Sequence, residues 1–133
     1  MIEYLSLEDI LTLIEDLAVG PIRDVGLLDC SRLKGMTLQA WSPVQHGFFE
    51  GVFIGDRKNF AELNDVMDEL AKKYSVTPTG IAIAWITRHP ANLQVVLGTT
   101  KPERVRESVA GSDIVLTREE WYRLFRAAGH KVP

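Results

Sequence analysis

The stretch Gly98-Thr99-Thr100-Lys101-Pro102-Glu103-Arg104 gathers the residue types that hold a phosphate. A glycine admits a ligand close to the backbone, two hydroxyls can donate, and Lys101 and Arg104 bring positive charge. Pro102 marks the start of a helix, and a helix N-terminus offers unsatisfied N–H groups and a partial positive charge. The same residues also read as an ordinary strand-to-helix loop with polar caps, and their spacing alone does not separate the two. Other reactive side chains are scattered. His46 lies in a loop, His89 at a helix end before Pro90, and His130 in the tail, positions that suit surface or capping roles. One cysteine, Cys30, excludes an intramolecular disulfide and a cysteine-based zinc cluster, and no metal-ligand cluster is evident.

The elements that must position this stretch follow from periodicity. Residues 6–18 place Leu7, Ile10, Leu11, Ile14 and Leu17 at helical spacing behind Ser6 as N-cap, and Gly20-Pro21 ends the run. Lys34-Gly35 signals a turn, and Met36–Trp41 reads as a short buried strand closed by Ser42-Pro43. Residues 44–58 carry three glycines and three phenylalanines without a clean period, which predicts a loop. Asn59 and Glu62 form a capping-box pattern for a helix running to about Tyr74. Thr77 caps the next helix with Pro78 at its first position, and GIAIAWITRH is apolar nearly all round, so it should be deeply buried. Gln94–Leu97 predicts a second strand, Pro102 opens a helix through Ala110, and Thr117 with Glu120 caps a last helix, 118–128, before Gly129.

Two short apolar strands among buried helices indicate parallel β/α units, an α/β class. Two strands are too few for a sheet of their own, so the chain reads as part of a larger one. The composition, 46% hydrophobic and 25% charged with net charge −3, is that of a globular protein without a basic nucleic-acid footprint. No apolar run is long enough for a membrane span, and the acidic, amphipathic start lacks the pattern of a secretory signal. A cytoplasmic protein is expected.

Three motifs in order, LQAWSPVQHG, TPTGIAIAWITRHP and VVLGTTKPERVRES, resemble the C-terminal part of the aldo-keto reductases, from about Leu28 to Pro133. LTREEWYRLFRAAG is similar to the helix that closes many bacterial members. The resemblance implies an incomplete (β/α)8 barrel (TIM barrel), its last two β/α units, and an NADP-dependent carbonyl reductase in full-length relatives. It implies that Trp41 stacks on the nicotinamide and that Ser42 and Val44 contact the pyrophosphate. Gly98, Thr99, Thr100 and Lys101 would form the loop around the adenosine 2′-phosphate, with Arg104 paired to it. Glu107 and Ser108 fall where an acidic residue and an asparagine hold the adenine; the serine departs from that pattern. Arg104 suits phosphate because its planar fork donates two parallel bonds, so NADP(H) is expected over NAD(H). The family's catalytic aspartate, tyrosine, lysine and histidine lie on the first four strands, and no matching motif occurs here. Tyr4, Tyr74 and Tyr122 lack the matching neighbours. No catalytic residue is assigned, and a chain that is inactive alone is expected.

Residues 1–31 resemble the N-terminal segment of the death-on-curing (Fic-related) toxins, through Tyr4-Leu5-Ser6-Leu7-Glu8-Asp9 and Arg23-Asp24-Val25-Gly26-Leu27-Leu28. The toxin family's catalytic histidine-and-glycine motif is absent. Two units follow, an N-terminal helical segment, 1–27, and a barrel portion, 28–133. Uncovered strand edges and helix faces would drive self-association, so a homo-oligomer or partner-binding module is the alternative to a silent reductase piece.

Overall fold

The computed structural model describes residues 3–6, 27–46 and 51–131. Three parallel strands, β1 (Glu3–Ser6), β2 (Leu38–Trp41) and β3 (Leu93–Val96), form one sheet in the order β1-β2-β3. The register sets Glu3 against Leu38 and Ser6 against Trp41, then Leu38 against Leu93 and Trp41 against Val96. Consecutive parallel strands lying side by side are the arrangement of successive β/α units. Sequence reasoning expected two strands. The third was missed because residues 3–6 run directly into a stretch with helical periodicity, and a four-residue strand shows no periodicity of its own. Both long edges of β2 are therefore paired within this chain. The helix expected over 6–18 falls on residues outside those described, apart from Ser6, which closes β1.

Helix α1 (Leu27–Leu33) ends at Gly35, whose φ of 62° is the left-handed conformation that glycine adopts without steric cost. Helices α2 (Ala61–Tyr74) and α3 (Pro78–Thr87) lie between β2 and β3 in the chain, and α4 (Pro102–Ser112) and α5 (Arg118–Ala127) follow β3. The Thr77 hydroxyl accepts the Gly80 N–H at 3.3 Å with Pro78 in the first turn, as its sequence predicts. Thr117 and Glu120 form the predicted capping box, each side chain accepting the other's backbone N–H. The Asn59 cap does not form. Phe60 is the N-cap of α2 without a side-chain bond, and Asn59 instead joins a turn around Asp56, whose carboxylate accepts from Lys58 N–H, Asn59 N–H and Asn59 Nδ2. The competing turn wins because one carboxylate satisfies three donors there.

Leu38 and Ala40 of β2 and Leu93 of β3 are buried in a core with Leu63, Val66, Met67, Leu70, Ile81, Ile86, Leu116 and Phe125. Every residue of α3 from Gly80 to Ile86 is buried. The deep burial that its apolar composition predicts is supplied by neighbours within this chain. Trp85 stacks on Trp121 of α5 with ring centroids 4.7 Å apart. Each indole N–H donates to the other's backbone carbonyl, at 3.1 and 2.9 Å. On its other side α3 crosses α4 so closely that a Cβ on Gly111 would lie 2.1 Å from the Gly80 carbonyl oxygen. Only glycine permits that approach.

Candidate functional site at the C-terminal ends of the strands

Because the strands are parallel, Ser6, Trp41 and Val96 sit in one row at the same edge of the sheet. Ligands of parallel α/β sheets bind outside that edge, where the loops leave the strands. Side chains alternate along a strand. Leu38 and Ala40 face the helices, whereas Gln39 and Trp41 take the other face. There Gln39 Nε2 donates to Gln94 Oε1 at 3.2 Å, and Trp41 and Val96 are each 36% exposed.

After Trp41 the chain turns through Ser42, with φ of 51°, and Gln45 N–H donates to the Ser42 carbonyl at 3.0 Å. Val44 is half-buried, and its carbonyl accepts the Phe53 N–H at 3.1 Å; Gln45 and Val52 form an antiparallel bridge. The loop expected over 44–58 is thus partly built structure. Phe53 is buried beneath it, and Phe48 and Phe49 lie outside the described residues.

After β3, Gly98 is exposed with open space around its Cα, and the Thr99 hydroxyl accepts the Lys101 N–H at 3.2 Å. Lys101 is the N-cap of the 11-residue helix α4 and makes no side-chain capping bond. Thr100, Lys101 and Arg104 are exposed, and no ion pair within the described residues engages Lys101 or Arg104. Glu107 is half-buried one turn further on. Ser108 stands apart: it is 4% exposed, and its hydroxyl donates to the Arg104 carbonyl at 2.8 Å.

The aldo/keto reductase family model matches residues 15–128. This chain belongs to the aldo/keto reductase family. The match starts upstream of Leu28, where the sequence motifs placed its beginning. A 6-dehydroglucose reductase of Agrobacterium fabrum is 32% identical over 71% of this chain and 30% of its own length. The 6-dehydroglucose reductase of Novosphingobium aromaticivorans is 28% identical over 86% of this chain and 38% of its own. The NADH-specific methylglyoxal reductase of Escherichia coli is 29% identical over 68% and 33%. Among solved structures, a thermostable aldo-keto reductase in complex with the inhibitor epalrestat matches 80% of this chain and 35% of its own, with TM-score 0.60 and 26% identity. The chain therefore spans about a third of the length of the curated relatives it matches.

Lys101 and Arg104, which form no ion pair among the described residues, two hydroxyls and a helix N-terminus make a donor set that fits a phosphate, and Trp41, 36% exposed, stands on the neighbouring strand. A tyrosine, a lysine and a carboxylate do meet, but elsewhere. Glu120 accepts from Lys73 Nζ at 2.5 Å, Tyr74 Oη at 2.7 Å and the Thr117 N–H at 2.8 Å. Burial pushes the Glu120 carboxyl up, and the bonds from Lys73, Thr117 and Tyr74 outweigh it, bringing its pKa down to about 2. The bond to Glu120 and burial raise the Tyr74 phenol, so it remains a donor. This cluster joins the C-terminal end of the 14-residue α2 to α5. That helix is about 21 Å long, and the loop after β2 enters at its other end.

The histidines are dispersed. His46 Nε2 lies 3.8 Å from Asp56 Oδ2 and its ring meets Phe60 edge-on, while His130 lies against Phe125. His89 Nδ1 accepts the Ala91 N–H, and burial, with Arg32 nearby, lowers its pKa. Among the described residues no group of three or more metal-ligating side chains comes together, and no helix is long and apolar enough to cross a membrane. The residue that sequence reasoning missed is Asn64, buried in α2 between Leu63 and Val66. Its signal was an amide set within the apolar stripe of a helix, which demands buried partners.

Proposed function

We propose that this chain is the cofactor-side portion of an aldo-keto reductase barrel. It binds the 2′-phosphoadenosine end of NADP(H) through Thr99, Thr100, Lys101 and Arg104, with Trp41 on the nicotinamide side. Alone it does not reduce carbonyl compounds. The observation that supports the reading is the pairing of Trp41 with Val96, since the loops after β2 and β3 then leave the same edge of one sheet. When bound, the dinucleotide supplies the hydride. The chain's own residues bind and orient it: the α4 N-terminus and its flanking cations meet the phosphate, and the Trp41 indole offers a flat apolar face. Proton donation to a carbonyl needs an acid beside the strand ends, and Tyr74 serves α2 and α5 instead.

The Escherichia coli relative is by name NADH-specific, so the test compares both dinucleotides. Calorimetric titration with 2′,5′-ADP, NADPH and NADH should give affinity for the first two and at least tenfold weaker binding of NADH. Equal affinity for NADPH and NADH would overturn the 2′-phosphate assignment. The resemblance of residues 1–31 to death-on-curing toxins adds no activity to this proposal, and Ser6 of that segment belongs to the same sheet as Trp41.

A second reading, self-association, is supported by the exposed sheet face at Trp41, Gln94 and Val96 and by the exposed Leu33, Val109 and Val115. A two-fold pairing would cover such faces most simply. Sedimentation at micromolar concentration should then give a dimer; a clean monomer would refute it.

A further inference from the structure

We infer that Asn64 is a positioning residue for the dinucleotide, holding the chain after β2 in the shape that meets its pyrophosphate; this rests on the cofactor reading above. Asn64 is 3% exposed and sits in the first turns of α2. Its Nδ2 donates to the Phe53 carbonyl at 2.9 Å and the Phe60 carbonyl at 2.8 Å, with the Asp56 carbonyl at 3.4 Å. Its Oδ1 accepts the Gly55 N–H at 2.6 Å. One amide thus ties down four points, Phe53, Gly55, Asp56 and Phe60, of an irregular segment in which Gly55 has φ of 84°.

The tie reaches the site through backbone. Phe53, held through its carbonyl by Asn64, donates its N–H to the Val44 carbonyl at 3.1 Å. The adjacent pair is fixed by His46 N–H on the Gly51 carbonyl at 3.0 Å. Val44 is two residues from Ser42, a non-glycine in the left-handed region, which persists only when its surroundings hold it. Asn64 itself stays buried in the helical layer, so its influence runs through the backbone it holds. By contrast, the loop after β3 owes nothing to Asn64, since its bonds run to Lys101 and within α4.

That asymmetry supplies the test. Asn64→Asp keeps the shape but loses the two amide donors and sets a carboxylate against carbonyl oxygens. Calorimetry on the full chain should show NADPH affinity reduced tenfold or more and 2′,5′-ADP affinity unchanged within twofold. Hydrogen exchange should accelerate at the His46, Phe53 and Gly55 amides and stay slow at Ile81–Ile86. Equal weakening of both nucleotides would mean general damage and overturn the inference, as would unweakened NADPH binding. Where the aspartate variant does not fold, Asn64→Ala, whose smaller side chain leaves room for water, carries the same readouts. A wild-type chain that binds neither nucleotide overturns the cofactor reading and the ligand role with it. Unchanged exchange at His46 and Phe53 in the variant overturns the anchoring itself.

Discussion

Replacing Glu120 by glutamine should uncouple α5 from α2 in a pH-dependent way. The carboxylate is buried and accepts three hydrogen bonds, from Lys73 Nζ, Tyr74 Oη and the Thr117 N–H. A hydrogen bond to a charged group contributes about 1.5–3 kcal/mol, and a helix cap about 0.5–2 kcal/mol. The Lys73 side chain is 57% exposed, so its ion pair is screened and adds little. Tyr74 and the cap remain, and glutamine keeps an acceptor for one of them, which leaves a loss of about 2 kcal/mol at neutral pH. For a domain of this size that lowers Tm by roughly 6–10 °C. The sign with pH follows from the lowered pKa. The carboxyl falls from an ordinary 4.5 to about 2 on folding, so its contribution is complete above pH 4.5 and vanishes as pH falls through about 2. Urea unfolding of the wild type and Glu120→Gln, followed by circular dichroism from pH 7 to pH 2, reads the difference. The gap in stability should be constant down to about pH 5 and close towards pH 2. A gap that persists unchanged at pH 2, or none at pH 7, would refute the assignment of that energy to the ionised carboxylate.

Gly111→Ala should destabilise the chain by about 3 kcal/mol or more, because its Cβ would lie 2.1 Å from the Gly80 carbonyl oxygen and force α3 and α4 apart; thermal unfolding checks it. Arg104→Ala should weaken 2′,5′-ADP binding at least tenfold, from loss of a charge-assisted bond of about 1.5–3 kcal/mol, and titration reads it directly. Absorbance at 340 nm with NADPH and reactive aldehydes should show no turnover; a rate of about 1–1000 per second from pure protein would overturn the silent-chain proposal.

Much of this molecule is written in local sequence. Thr77-Pro78 and Thr117 with Glu120 specify helix starts because the groups that satisfy the first N–H donors lie within three residues. The all-apolar run around Trp85 specifies a buried helix, since such a helix has no face for water. The motifs about Trp41 and Gly98–Arg104 identify the family, because each loop and the strand or helix it adjoins are contiguous in sequence. What sequence could not reach depends on partners far along the chain. Strand β1 exists because Glu3–Ser6 finds the free edge of β2, and four residues carry too little pattern to announce it. Asn59 yields its capping role to Asp56 through a contest between two local bonds that propensity does not resolve. Asn64, Glu120 and the Trp85–Trp121 exchange each join elements that only tertiary packing brings together. Buried polar groups must be satisfied wherever they end up, so sequence can flag them, but only the fold names their partners.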